Sequence, residues 1–188
     1  LWIGEDFALG HNREGNRFFL EKASLSRGFT VHVFPPVSLG GEVISSTRVR
    51  EALRSGDVAR AATYLGRPFV IPGRVVQGAG RGKRLGIPTA NLAVWEERAV
   101  PGPGVYASLA EVGPDRWKAV TNVGTRPTFE AGHSPVVVEA HLLDFTGDLY
   151  GREIRLAFVE RLRDERRFPG PEALLEQVQR DIRRAKQA

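Results

Sequence analysis

The sequence changes character at Arg67-Pro68, and that change limits the fold more than any other feature. From there to about Phe168 it is a series of short runs cut by Gly and Pro. The runs fall at 69–77, 104–112, 117–123, 136–144 and 153–161. In the last, Ile154, Leu156 and Phe158 alternate with Glu153, Arg155 and Ala157. Successive strand side chains point to opposite faces, so this spacing predicts half-buried strands. Many short strands separated by turn residues predict an antiparallel barrel or sandwich.

What flanks this region is helical. Gly170-Pro171-Glu172 reads as a helix start, with Pro in the first turn and an acid near the positive end of the dipole. Leu174, Leu175, Val178 and Ile182 form an apolar stripe at helical spacing, which predicts packing against the barrel. Residues 1–66 read as α/β. Strands are expected at 1–4 and 29–34, and a helix between Asn16 and Arg27. Ser45, Ser46 and Thr47 offer caps for a helix over 48–54, and Asp57 caps another that stops at Gly66. The division expected is therefore 1–66 and 67–188.

A chain of 188 residues can bury one good core plus a partial second unit. Its 41% apolar and 26% charged residues are ordinary for a soluble globular protein. No apolar run approaches the ~20 residues that span a bilayer, so no membrane role is expected. Cysteine is absent, which excludes disulfides and thiolate chemistry and fits a cytoplasmic location. Methionine is absent too, even at position 1, and the chain opens on an apolar segment. Both facts lead us to expect that it begins inside a longer protein. The net charge is +5, and its placement matters more than its size. Between Asp57 and Glu96 there is no acid, while Arg60, Arg67, Arg74, Arg81, Lys83 and Arg84 lie there. Such a stretch suits a polyphosphate or a nucleic acid, and charge alone does not choose between them.

Three constellations carry chemistry. The first is Gly78-Ala79-Gly80-Arg81-Gly82-Lys83-Arg84-Leu85-Gly86. Glycines let backbone wrap a ligand closely, and exposed amides with cations suit phosphate oxygens. It lacks the Lys-Ser/Thr ending of a P-loop, and a flexible hairpin loop would also explain it. The second is Pro88-Thr89-Ala90-Asn91, whose Thr hydroxyl and Asn amide share a face on an extended segment. Both offer oxygens that a hard cation such as Mg²⁺ accepts, although Pro, Thr and Asn are also turn formers. The third is Glu139 within the apolar run 136–145. A carboxylate there needs either an arginine partner or a task such as accepting a proton. His141, two residues on, shares its face and is a second candidate.

Taken together, these residues resemble the riboflavin kinase family. Residues 78–91 read Gly-x-Gly-x-Gly-x-x-Leu-Gly-x-Pro-Thr-Ala-Asn, similar to that family's ATP and magnesium signature. Later landmarks follow in order: Gly104-Val105-Tyr106-Ala107, residues 122–129, Glu139 with Asp144-Phe145, Leu149-Tyr150-Gly151, and 163–168 before the last helix. The resemblance covers about 67–187. It implies a six-stranded antiparallel barrel with a C-terminal helix, with riboflavin and ATP as substrates and FMN as product. It implies ATP binding at Gly78, Gly80, Arg81, Gly82, Lys83, Arg84, Pro88, Thr89 and Asn91, with Thr89 and Asn91 also serving Mg²⁺. It implies Glu139 as catalytic base. It implies flavin contacts at Asn122, Gly124, Thr125, Arg126, Pro127, Arg163, Glu165 and Phe168.

The first third resembles the end of an FMN adenylyltransferase domain, the Rossmann-like nucleotidyltransferase unit that precedes the kinase in bacterial bifunctional FAD synthetases. The matching residues are 4–10 with Arg13 and Gly15, and 44–50. Ser45, Ser46, Thr47 and Arg50 would be the remnant of its phosphate site, at a helix N-terminus. The family's early histidine motif is missing, and His11 and His32 do not supply it. This chain is therefore expected to make FMN but no appreciable FAD, and its open sheet edge offers a route to self-association. Two rivals remain: adenylyl transfer by this chain, and a non-catalytic basic barrel that binds RNA or single-stranded DNA. The barrel rival needs base-stacking aromatics on one face, whereas Trp95, Tyr106 and Trp117 are scattered.

Overall fold

A computed structural model describes residues 1–78, 80, 82, 85–95, 97–125 and 136–188. The chain forms two compact units, Leu1–Ser45 and Ser46–Ala188.

The first unit is thin. Strand β1 (Trp2–Gly4) pairs in parallel with β4 (His32–Phe34). Between them lie the short antiparallel pair β2 (Ala8–Leu9) and β3 (Gly15–Asn16), then helix α1 (Arg17–Arg27). Asn16 caps α1 by accepting from the Phe19 amide at 3.2 Å. A hairpin of β5 (Ser38–Leu39) and β6 (Glu42–Val43) follows. Only Ile3 and Gly15 are buried in this unit. Trp2 stacks between His32 and Phe34, with centroids 4.1 and 5.0 Å away. The parallel pair is the part of an α/β unit that the sequence reading anticipates.

The second unit is the barrel. Strands β7 (Phe69–Val76), β8 (Ala90–Ala93), β9 (Gly104–Val112), β10 (Asp115–Thr125), β11 (Val136–Leu142) and β12 (Glu153–Arg163) close in the order β10-β11-β8-β7-β12-β9. Every pairing is antiparallel. Closure leaves no strand edge unpaired, which removes the commonest route to edge-to-edge association. Five of the six strands coincide with the runs legible in the sequence. The sixth, β8, is the Thr-Ala-Asn segment whose turn formers masked it.

Alternation divides the side chains into two layers. Inside the barrel Ile71, Val138, Ala140, Leu156 and Phe158 are fully buried, and Tyr106 meets Phe158 edge-on at 5.4 Å. Outside it Val105, Ala107, Val120 and Leu162 pack against Ala185 and Ile182 of helix α4 (Pro171–Gln187). Phe158 and Leu162 lie in different layers although strict alternation would put them on one face. The register shift of β12 against β9 between Phe158 and Glu160 inserts one residue and reverses the alternation before Leu162.

Helices α2 (Ser46–Arg54) and α3 (Val58–Leu65) belong with the barrel by packing. Ala52, Leu53 and Ala61 form a small core that reaches Phe69, and the Gly102 amide donates to the Leu53 carbonyl at 2.7 Å. The sequence reading grouped 46–66 with the first unit on composition. Packing follows the apolar faces of α2 and α3, which are spent on the barrel side. No helix among the described residues is long and apolar enough to cross a membrane.

Candidate active site

A cleft of about 420 Å³ lies on the outer surface of the barrel, bounded by β8, β10, β11, the 163–168 segment and α4. Its floor follows from alternation on β11. Val138 and Ala140 point into the barrel core, so Val137, Glu139 and His141 face the cleft. Glu139 is register-paired with Asn91 on β8 and with Asn122 on β10. One carboxylate thus sits between two carboxamides on three adjacent strands. No ion pair to Glu139 occurs among the described residues. An arginine partner, one of the two reasons for a carboxylate at this place, is thus not found there.

The glycine loop and the Thr-Ala-Asn strand close over one side. Gly80, Gly82, Leu85, Ile87, Thr89 and Asn91 line the cleft. The Leu85 and Ile87 amides both donate to the Gly82 carbonyl, at 3.0 and 2.9 Å. Two glycines are required by close approach. A Cβ at Gly78 would overlap the Asn91 amide, and one at Gly82 would overlap the Ile87 carbonyl. His141 Nδ1 lies 2.8 Å from the Pro88 carbonyl. A carbonyl only accepts, so Nδ1 carries the proton and the imidazole fastens the 88–91 segment to β11. Asn91 Oδ1 is buried without a hydrogen-bond partner among the described residues. With the Thr89 hydroxyl two residues away and both residues lining the cleft, this is an oxygen donor set of the kind that fits a hard divalent cation.

The other side is assembled from β10 and the segment after β12. Asn122, Gly124, Thr125, Arg163, Glu165 and Phe168 all line the same cleft. Asn122 Nδ2 donates to Glu165 Oε1 at 3.4 Å. A Cβ on Gly124 would strike that same carboxylate. Arg81, Lys83, Arg84, Arg126 and Pro127 lie outside the described residues. Gly78 and Pro88 border the cleft through Asn91 and His141 without lining it. Ser46, Thr47 and Arg50 belong to α2 and do not line it, and Ser45 closes the first unit.

Sequence reasoning missed one wall. Leu174, Val178 and Asp181 of α4 also line the cleft, so the helix both packs on the barrel and shapes the site. The signal was present: a carboxylate interrupts the apolar stripe between Val178 and Ile182. Of the aromatics that a base-stacking surface would use, Tyr106 is in the barrel core and Trp117 packs edge-on against Phe145 at 5.0 Å, while Trp95 is exposed.

Comparison with known proteins gives a consistent picture. A family model described as riboflavin kinase matches residues 65–188, and one described as FAD synthetase matches 1–48. A bifunctional riboflavin kinase/FMN adenylyltransferase of Pseudomonas fluorescens is 42% identical over 186 residues, 99% of this chain and 59% of that protein. The protein of the same description from Escherichia coli K12 is 40% identical over 182 residues, 96% of this chain and 57% of that one. That from Bacillus subtilis is 41% identical over 143 residues, 76% and 45%. The chain thus spans less than two thirds of the length of these relatives. Among solved structures, a Streptococcus pneumoniae protein described as a macrolide-efflux protein superposes with a TM-score of 0.82 at 30% identity. It covers 98% of this chain and 60% of that one.

Proposed function

The chain belongs to the riboflavin kinase family, and from that premise we propose that its cleft transfers the γ-phosphoryl group of ATP to the 5′-hydroxyl of riboflavin, giving FMN and ADP. The observation that carries the reading is Glu139, held between Asn91 and Asn122 on three neighbouring strands and open to the cleft. In the transfer the ribityl oxygen forms a bond to the γ-phosphorus while the bond to the β–γ bridging oxygen breaks. The hydroxyl proton passes to the Glu139 carboxylate. Such a reaction asks the protein chiefly for alignment and charge stabilisation. The glycine loop would enclose the phosphates through its amides. Thr89 and Asn91 would hold Mg²⁺, which when bound neutralises charge on the phosphates. Asn122, Gly124, Thr125, Arg126, Pro127, Glu165 and Phe168 would receive the flavin. The catalytic unit on this reading begins at Arg67, and α2 and α3 are a packed support for it.

Glu139→Gln tests the assignment. It keeps the shape of the side chain and loses its basicity. Turnover of riboflavin should fall by ~10²-fold or more, with riboflavin binding retained. Near-normal turnover would remove Glu139 from the role. The FAD synthetase match over 1–48 supports a second reading, in which the first unit is part of an FMN-adenylylating domain. Chromatography of the products reads both activities, as FMN and as FAD.

A further inference from the structure

Asp181 is 2% exposed, a carboxylate on the apolar stripe of α4 with no part in the chemistry above. It accepts from Arg163 Nε at 3.2 and 3.0 Å and from Arg163 Nη2 at 2.9 Å. It also accepts from Gln177 Nε2 at 2.7 Å. Arg163 Nη1 donates to the Asp164 carbonyl at 2.9 Å. Each of the three guanidinium nitrogens thus has a partner within the protein, which fixes the orientation of the group. So oriented, the Arg163 Cζ lies over the ring of Phe168, 5.5 Å from its centroid. Arg166 lies 4.9 Å from the same ring and donates to Gln177 Oε1.

The contacts close a ring: Asp181, Arg163, Phe168, Arg166, Gln177 and back to Asp181. Phe168 itself sits on irregular backbone, with no strand or helix to fix it. Its ring is therefore located by two guanidinium groups, and those are located by two side chains of α4. A buried ion pair adds little stability over apolar residues of like volume, so stability alone does not account for one here. We propose that Asp181 is a positioning residue: through Arg163 it sets the ring of Phe168 as a flat wall of the cleft, against which a planar heteroaromatic substrate stacks. That this substrate is riboflavin rests on the kinase reading above.

The test uses the full chain, Asp181→Asn, and the double variant Arg163→Met/Asp181→Leu, which replaces the ion pair by apolar groups. Riboflavin and ATP-Mg are varied separately, and phenylalanine ring signals are followed by NMR with Phe168 assigned by substitution. For Asp181→Asn, the riboflavin KM should rise about 10-fold, the loss expected of one charge-assisted hydrogen bond. The ATP KM and kcat should stay within about twofold, and the Phe168 ring signals should move. The double variant should recover thermal stability but not the riboflavin KM. Recovery of both would make the pair mere glue and overturn the proposal, as would equal rises in the two KM values. Unmoved Phe168 signals in Asp181→Asn would overturn it whatever the substrate is. If wild-type protein left riboflavin unphosphorylated while the Phe168 signals moved on substitution, the positioning role would stand and the kinase reading would fail.

Discussion

At the scale of single residues, the site depends on polar groups placed where strand geometry would otherwise put apolar ones. Asn91 is the sharpest case, because its Oδ1 is buried and has no hydrogen-bond partner among the described residues. An unpaired buried carbonyl costs about 1–3 kcal/mol, so it is tolerated only if something uses it. Asn91→Ala and Thr89→Ala should each raise the magnesium concentration needed for half-maximal activity by about 10-fold or more. Asn91→Ala should leave thermal stability unchanged or raised, since it removes an unsatisfied group. A magnesium titration beside a melting curve checks both, and an unchanged magnesium requirement would contradict the assignment. Much of this was legible beforehand. Glu139 stood out as a carboxylate in an apolar run, and Asn91 as an oxygen donor two residues from Thr89. Asp181 gave a weaker signal, its place on the apolar stripe, because a single acid on an amphipathic helix usually marks its solvated face. Only the partner, Arg163, distinguishes a buried acid from an exposed one, and eighteen positions of chain separate the two.

At the scale of elements, the junction between α2 and the barrel is fastened by Tyr106. Its hydroxyl donates to the Gly102 carbonyl, and the Gly102 amide donates to Leu53 at the end of α2. Burial raises the Tyr106 pKa above 10.0, partly offset by the nearby Arg161 guanidinium. The folded protein therefore holds this proton more tightly than the unfolded chain does. Stability from that difference is fully present below pH 10.0 and is lost as pH rises above it, because the unfolded tyrosine ionises first. Tyr106→Phe should cost about 1–2 kcal/mol at neutral pH, a fall of roughly 2–8 °C in Tm for a chain of this size. It should also flatten the alkaline limb of the stability profile. Melting curves from pH 7 to 11 on both proteins would show it, and parallel limbs would refute it. Elements were read well where periodicity is long. The two-residue strands of the first unit escaped because two positions carry no period. β8 escaped because it is four residues long and the turn formers Pro88, Thr89 and Asn91 stand at its start.

At the scale of the whole molecule, the two units differ in how much they bury. The barrel unit has interior and exterior cores, whereas the first unit buries Ile3 and Gly15 alone and leaves Trp2, Phe18 and Leu25 exposed. Local opening free energy follows buried apolar contact, so amides of β1 and β4 should exchange far faster than those of β9 and β12. Hydrogen exchange followed by mass spectrometry would measure this, and equal protection in a monomer would overturn it. An open edge on the small parallel sheet was foreseeable from the sequence. That the two helices at 46–65 side with the barrel was not, because composition reports what a segment is made of and not which neighbour its apolar face meets.

The ring order of the barrel has a further consequence, for the time at which the site comes into being. Asn91, Glu139 and Asn122 are neighbours in space but come from the second, fifth and fourth barrel strands along the chain. While the protein is being synthesised, β7, β8, β9 and β10 emerge first, and Asn91 cannot be brought beside Asn122 until β11 arrives between them. β12 must then follow to join β7 to β9, and α4 after it to carry Asp181. Pairings so distant along the chain form late, after their loop-closure entropy has been met. A ribosome must therefore release the chain through α4 before all the described walls of the cleft are together. A substrate that needs all of those walls can only capture a chain that has already finished folding.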